Sequence, residues 1–161
     1  MKNKKVQFLV HSAMIGSIYV VLTILFQPFS FGQIQVRIAE ALTILPLFTP
    51  AAIPGLFVGC LIGNILGGSI LPDIIFGSLA TLIGAFITYA FRRYKWTAPI
   101  GPILSNAIII PYVLLYAYGI QPLWFSFVTV TIGEIISCGI LGMILLTTLE
   151  KYRGVLFKNG E

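Results

Sequence analysis

Charge is what this chain lacks most. Only 9% of its 161 residues are Asp, Glu, Lys or Arg, where an ordinary soluble domain carries roughly a quarter. With 58% hydrophobic residues beside so few charges, a water-soluble fold is nearly excluded. Histidine is almost missing as well: a single residue, His11, near a helix end, cannot build a histidine metal cluster. The two cysteines, Cys60 and Cys138, lie inside apolar runs without metal-type spacing, so they read as small buried residues rather than a disulfide or a zinc site. No lysine follows a glycine, which removes the phosphate-binding loop G-x-x-x-x-G-K-[ST] and ATP hydrolysis by that route. G-x-S-x-G, H-E-x-x-H and a supported Cys–His pair are absent too. An enzyme is therefore not expected, and neither is a metal or a cofactor.

What is present is long apolar sequence. Residues 6–36, 41–72 and 96–133 contain no Asp, Glu, Lys or Arg, and each stretch exceeds the ~20 residues that cross a bilayer as a helix. The length suits one membrane domain over residues 1–161. Lys2, Lys4 and Lys5 resemble the start of a signal peptide, but the following apolar run is long for one and lacks a small-residue cleavage site. It reads as a retained first helix.

The basic residues set the topology. Lys2, Lys4 and Lys5; Arg92, Arg93 and Lys95; and Lys151, Arg153 and Lys158 form three clusters that the positive-inside rule places in the cytoplasm. An even number of crossings separates each from the next. The first interval has room for four and the second for two, which predicts an all-α integral membrane protein of six transmembrane helices with both termini cytoplasmic. Proline and glycine punctuation puts the helices at residues 8–26, 37–48, 51–66, 73–91, 98–118 and 125–149. Residues 27–36 form an external loop, and the second helix is short enough to tilt or span incompletely. Thr49 can cap the third helix and Pro50 can open it. That helix carries Gly55, Gly59, Gly63 and Gly67 at every fourth position, a smooth face for close approach of another helix. Ser12/Gly16 and Ala13/Ser17 make shorter rows of the same kind in the first helix.

Outside the three basic clusters and the tail acids, four charged residues remain: Arg37, Glu40, Asp73 and Glu134. The topology places all four in the outer half, at the level of Asn64 and Gln33. Ionisable groups at membrane depth cost a few kcal/mol or more and mark a site by default. Simpler readings stand beside this one: Arg37 and Glu40 as a self-neutralising i, i+3 pair, and Asp73 as a helix cap after Pro72. Glu134 has no basic residue near it in sequence. One positive and three negative charges favour a cation or a ligand rich in hydrogen-bond donors. Tyr112, Tyr116, Tyr118, Trp124 and Phe125 cluster at the outer ends of the last two helices, either as an interfacial belt or as stacking faces for a flat heterocycle.

The stretch QVRIAEALTILPLFTPAAIPGLFVG from Gln35 to Gly59, continuing as CLIGNILGG and, after a short loop, DIIFGSLATLIGA, resembles the QueT family. The resemblance covers nearly the whole chain, including a late Gly133-Glu134. It implies a substrate-binding S component of an energy-coupling factor transporter: a six-helix bundle that captures a vitamin-like ligand from outside. A membrane coupling (T) subunit and two ATPase subunits supply the energy, and the S component is thought to topple in the membrane to release its ligand. The implied ligand is a queuosine precursor, a 7-deazaguanine such as preQ1. Glu134 or Glu40 would meet its donor edge, Asn64 or Asn106 its carbonyl, and Tyr112, Tyr116 or Trp124 would stack on it, while Arg37 orients Glu40 and Asp73 completes the charged group. Ala13 and Ser17 would carry the docking face for the coupling subunit, though the row is Ala-x-x-x-Ser where the family type has Ala-x-x-x-Ala. An S component for another vitamin, a self-sufficient small transporter or channel, and a ligand-free assembly protein are the alternatives. Nucleic acid is not an expected partner.

Overall fold

The computed structural model describes residues 3–30 and 36–152. Gln33, Lys2, Arg153, Lys158 and Glu161 lie outside the described residues. Asn3 starts helix 1 (Lys4–Leu25), its side chain accepting from the Lys5 amide at 3.2 Å, which satisfies a backbone donor that the first turn would leave open. The helix therefore begins four residues before the expected start. A single short turn, Gln27–Ser30, follows within the expected external loop. Helix 3 (Ala52–Leu66), helix 4 (Leu71–Ala90) and helix 5 (Ile100–Tyr118) agree with the expected positions to within two residues. The Thr49 hydroxyl accepts from the Ala51 amide at 3.3 Å at the entrance to helix 3.

Helix 2 (Ile38–Leu47) departs from expectation in kind: it is a 3₁₀ helix with Pro46 inside it. Its bonds span three residues, as in Glu40 N to Arg37 O and Phe48 N to Leu45 O, both 2.9 Å. Proline removes one donor from an α-helical ladder, and the tighter coil rises ~2.0 Å per residue, so ten residues reach about 20 Å. That is still short of a hydrocarbon core ~30 Å thick. Residues three apart eclipse one another in this geometry, so Arg37, Glu40 and Thr43 stack along a single edge. Helix 2 is also the centre of the bundle: it contacts helices 1, 3, 4 and 6, and its residues from Ala39 to Pro46 are buried.

Helix 6 runs from Leu123 to Lys151. It is α-helical through Glu134, widens into a π-helix over Ile135–Leu141, and returns to α at Gly142–Lys151. Wide turns of this type are uncommon and tend to stand at functional sites.

Helix 1 packs on helix 3 along the glycine row. A Cβ on Gly55 would lie 2.6 Å from the Ser12 carbonyl oxygen, and one on Gly59 would lie 2.9 Å from both the Gly16 carbonyl and the Tyr19 Cβ. Only glycine admits backbones this close. The row thus serves contact within the chain. Elsewhere helix 1 is bare: Leu9, Met14, Ile18 and Val21 are exposed, as are Leu71, Phe76 and Phe86 of helix 4. Four helices among the described residues are long and apolar enough to cross a membrane: Lys4–Leu25, Leu71–Ala90, Lys95–Tyr118 and Leu123–Lys151. With backbone groups satisfied inside each helix and apolar side chains outside, this surface matches lipid.

Inside, Tyr19, Leu42, Ile44, Leu45, Ala52, Ile53, Leu56, Ala85 and Leu146 form the main apolar core around helix 2. At one end of the bundle Lys95 pairs with Glu150 and Arg92 stacks over Tyr89 at 4.2 Å, bringing two of the basic clusters together. Asp73 and Tyr118 lie at the other end.

Candidate functional site

The charged residues form two connected layers. In the outer one, Arg37 at the start of helix 2 faces Asp73 in the first turn of helix 4, Nη2 to Oδ2 at 3.6 Å, and the Tyr118 hydroxyl from the end of helix 5 donates to the same Oδ2 at 3.4 Å. Both charged side chains are buried. A pair so enclosed offsets the cost of taking two charges out of water only when both partners remain. Arg37 therefore pairs with Asp73, not with Glu40 three residues on. Asp73 does not cap helix 4 either: Ile70 holds that position.

The inner layer centres on Glu40, which is 0% exposed. Its Oε1 accepts from the Tyr19 hydroxyl of helix 1 and from Thr81 Oγ1 of helix 4 at 3.0 Å; its Oε2 has no hydrogen-bond partner among the described residues. Thr43, one 3₁₀ turn further along, donates back to the Glu40 carbonyl at 2.5 Å. Glu134 comes from helix 6, at the last α-helical residue before the π segment. The Cys138 thiol lies 3.2 Å from Glu134 Oε2 and 3.4 Å from the Glu40 carbonyl, and one ligating atom each from Glu40, Glu134 and Cys138 fall within 4.8 Å of one another. These three could together contact a cation or several N–H donors. On the other side, Asn64 Nδ2 approaches the Asp73 carbonyl at 3.5 Å and Cys60 Sγ at 3.6 Å. The Asn106 amide of helix 5 lies beside the Glu134 carboxyl; its Nδ2 is buried and makes no hydrogen bond of good geometry among the described residues.

Six of the expected residues thus converge: Arg37, Glu40, Asn64, Asp73, Asn106 and Glu134. Three do not. Tyr116 is 82% exposed, Trp124 66% and Tyr112 45%; they stand on the outside of helices 5 and 6, where Tyr112 and Tyr116 line an apolar groove with Pro72, Phe76 and Ile108. Tyr118, which meets Asp73, is the aromatic that reaches the cluster from this end. Sequence reasoning missed Tyr19, Thr81, Cys60 and Cys138 as neighbours of the carboxylates. Nothing in one-dimensional spacing could bring residue 19 to residue 40 through a 3₁₀ helix.

The charges are unbalanced. Arg37 and Asp73 cancel, leaving the Glu40 and Glu134 carboxyls in the interior, with Glu40 Oε2 lacking a hydrogen-bond partner among the described residues and the Asn106 amide beside Glu134. Buried polar atoms are nearly always satisfied, so these groups mark the cluster as a candidate binding site.

The model of the QueT transporter family matches residues 9–151. The chain belongs to the QueT family. It is similar to the queuosine precursor transporter QueT of Lactococcus lactis subsp. cremoris strain MG1363, with 26% identity over 94% of this chain and 96% of that protein. No solved structure matches. The family is one of transporters, so this QueT-family chain is a multi-pass cell-membrane protein that moves a small molecule and is not an enzyme.

Proposed function

We propose that this chain is the substrate-binding S component of an energy-coupling factor transporter, and that it captures a queuosine precursor of the 7-deazaguanine class, such as preQ1, from outside the cell. The observation that carries the reading is a buried acceptor with no hydrogen-bond partner among the described residues, Glu40 Oε2, close to a second carboxyl, Glu134, which has the Asn106 amide beside it. A deazaguanine presents adjacent N–H donors and a carbonyl on one edge, which suits such a set. The aminomethyl cation of preQ1 suits the uncompensated carboxylate. Asp73, Arg37 and Asn64 hold the outer side of the same cluster.

The chain has no phosphate-binding loop, so uptake against a gradient draws on partners: a coupling subunit and two ATPase subunits. Their docking surface is the apolar groove between helices 1 and 3, lined by Phe8, Ala13, Gly16, Ser17, Val20 and Val58. Ala13 and Ser17 are exposed there, with Ser17 Oγ turned back to the Ala13 carbonyl at 2.8 Å, which leaves an almost apolar face for a second membrane helix. In this orientation the basic end at Arg92, Lys95 and Lys151 faces the cytoplasm.

Calorimetry on the purified chain with preQ1, preQ0, queuine, guanine, thiamine and riboflavin tests the ligand class. One-to-one binding of a deazaguanine without ATP is expected; binding of thiamine or riboflavin instead would move the chain to another vitamin. The partner test is co-purification with coupling and ATPase subunits, expected to be lost with Ala13→Leu. Uptake by this chain expressed alone in a cell lacking such subunits would refute the S-component assignment in favour of a self-sufficient transporter.

A further inference from the structure

Glu40 is held in an asymmetric way. A carboxylate offers acceptor positions on both oxygens, yet both of its side-chain donors go to the same one: Tyr19 from helix 1 and Thr81 from helix 4 meet Oε1. Oε2 is left without a partner although the residue is fully buried. Thr81 also lies 3.2 Å from the Gly77 carbonyl and 3.4 Å from Cys60 Sγ, but it has one proton to give. The charged oxygen is both the nearest and the strongest of the three acceptors, so that proton goes to Glu40. Tyr19 also lies beside the Cys60 thiol, a much weaker acceptor than the carboxylate oxygen. Its ring belongs to the core around helix 2, and it is one of three buried residues along the 22 of helix 1.

Glu134 is held differently. Its neighbour is the Cys138 thiol, four residues on in the same helix, a weak donor at the edge of a π segment. Of the two carboxylates, Glu40 is fixed in direction by hydroxyls from two other helices that meet one oxygen, while Glu134 meets a weak thiol donor of its own irregular helix and the Asn106 amide of helix 5.

We propose that Tyr19 and Thr81 are positioning residues that clamp one oxygen of Glu40 so that the other is presented to the ligand as a directed acceptor, making Glu40 the residue that reads the donor edge and Glu134 the one that supplies charge. The proposal rests on the deazaguanine reading above. Pinning one oxygen fixes the carboxylate plane before the ligand arrives, so the ligand does not have to order it. A carboxylate free to rotate would still attract a cation but would lose discrimination between ligands that differ only in the edge it reads.

The full chain, purified in detergent, is titrated with preQ1 and with its analogue lacking the 2-amino group, which keeps the ring and the aminomethyl cation but loses a donor. Wild type is expected to prefer preQ1. Tyr19→Phe keeps the ring in the core and removes the hydroxyl; it should weaken preQ1 about tenfold, the loss expected for a hydrogen bond to a charged group, and leave the analogue unchanged, so the preference shrinks. Thr81→Val should do the same, while Thr81→Ser, which retains the hydroxyl, should restore wild-type selectivity. Adding Tyr19→Phe to Glu40→Gln should cost nothing further. Equal weakening of both ligands by Tyr19→Phe and Thr81→Val, or no weakening of either, would overturn the proposal, as would a further loss in the double variant. If wild type bound thiamine or riboflavin but neither deazaguanine, the substrate reading would fail and this inference with it. Wild-type selectivity that survives both variants overturns the positioning role alone.

Discussion

Replacing Gly55 or Gly59 with alanine should unseat helix 1. A Cβ at Gly55 falls 2.6 Å from the Ser12 carbonyl oxygen, whereas unstrained carbon contacts lie at ~3.5–4.0 Å, so the two helices must separate by roughly 1 Å. At Gly59 the obstacles are the Gly16 carbonyl and the Tyr19 Cβ, both at 2.9 Å. Backbone atoms cannot turn aside as a flexible side chain can. Overpacking of this kind costs about 1–3 kcal/mol, offset by the ~1 kcal/mol that alanine gains over glycine in a helix. The net loss should approach 2 kcal/mol at Gly55, which lowers Tm by about 4–8 °C for a chain of this size. Gly139→Ala serves as control, because the nearest atom to its added carbon is the Ile135 Cγ2 at an ordinary 3.7 Å. Thermal unfolding in detergent measures the difference, with preQ1 titration of the same samples. Gly59→Ala should also weaken binding, since its methyl presses on Tyr19, which holds Glu40. If Gly55→Ala melts at or above the Gly139→Ala control, helix 1 does not rest on helix 3 as described, and the reasoning from the glycine row fails.

Four further outcomes are expected. Arg37→Leu leaves Asp73 buried without its counter-charge and should cost about 3–5 kcal/mol; Arg37→Leu with Asp73→Leu should recover most of that in the same melting assay. Glu134→Gln should abolish uptake with membrane expression intact, and unchanged uptake would remove Glu134 from the site. Trp124→Ala and Tyr116→Ala should leave ligand affinity unchanged in calorimetry, because both side chains are exposed on the outside of the bundle. Gly119 ends helix 5 with φ of 68°, a left-handed conformation that costs other residues ~1–2 kcal/mol; Gly119→Val should lower Tm accordingly without changing the ligand preference.

Much of the architecture was legible from composition and spacing, because a bilayer imposes a one-dimensional code. Charge-free runs long enough to cross it mark the helices, and the regular placement of Pro and Gly bounds them. Helices 3, 4 and 5 came out close to the expected positions, and the four charges singled out in sequence, Arg37, Glu40, Asp73 and Glu134, are all buried in the bundle. The glycine row announced a close helix contact, and the structure assigns that contact to helix 1 of the same chain. What the pattern of residues could not convey was the coil of residues 38–47. An α-helix and a 3₁₀ helix share the same apolar composition here, and only the packed surroundings of Pro46 select between them.

That choice decides the site. Eclipsed at three-residue intervals, Arg37, Glu40 and Thr43 point along one edge, so Arg37 meets Asp73 across the bundle and Glu40 is left to Tyr19 and Thr81. The aromatic residues near the outer ends were visible in sequence, yet which of them turn inward depends on helix rotation. Tyr118 turns in to Asp73; Tyr112, Tyr116 and Trp124 turn out. By itself the sequence determined that this is a membrane helix bundle with a few ionisable groups too costly to bury without purpose, since hydrophobicity and charge act residue by residue. Which of those groups pair, and which oxygen is left open, is a matter of contacts between residues far apart in the chain, and only the tertiary structure decided it.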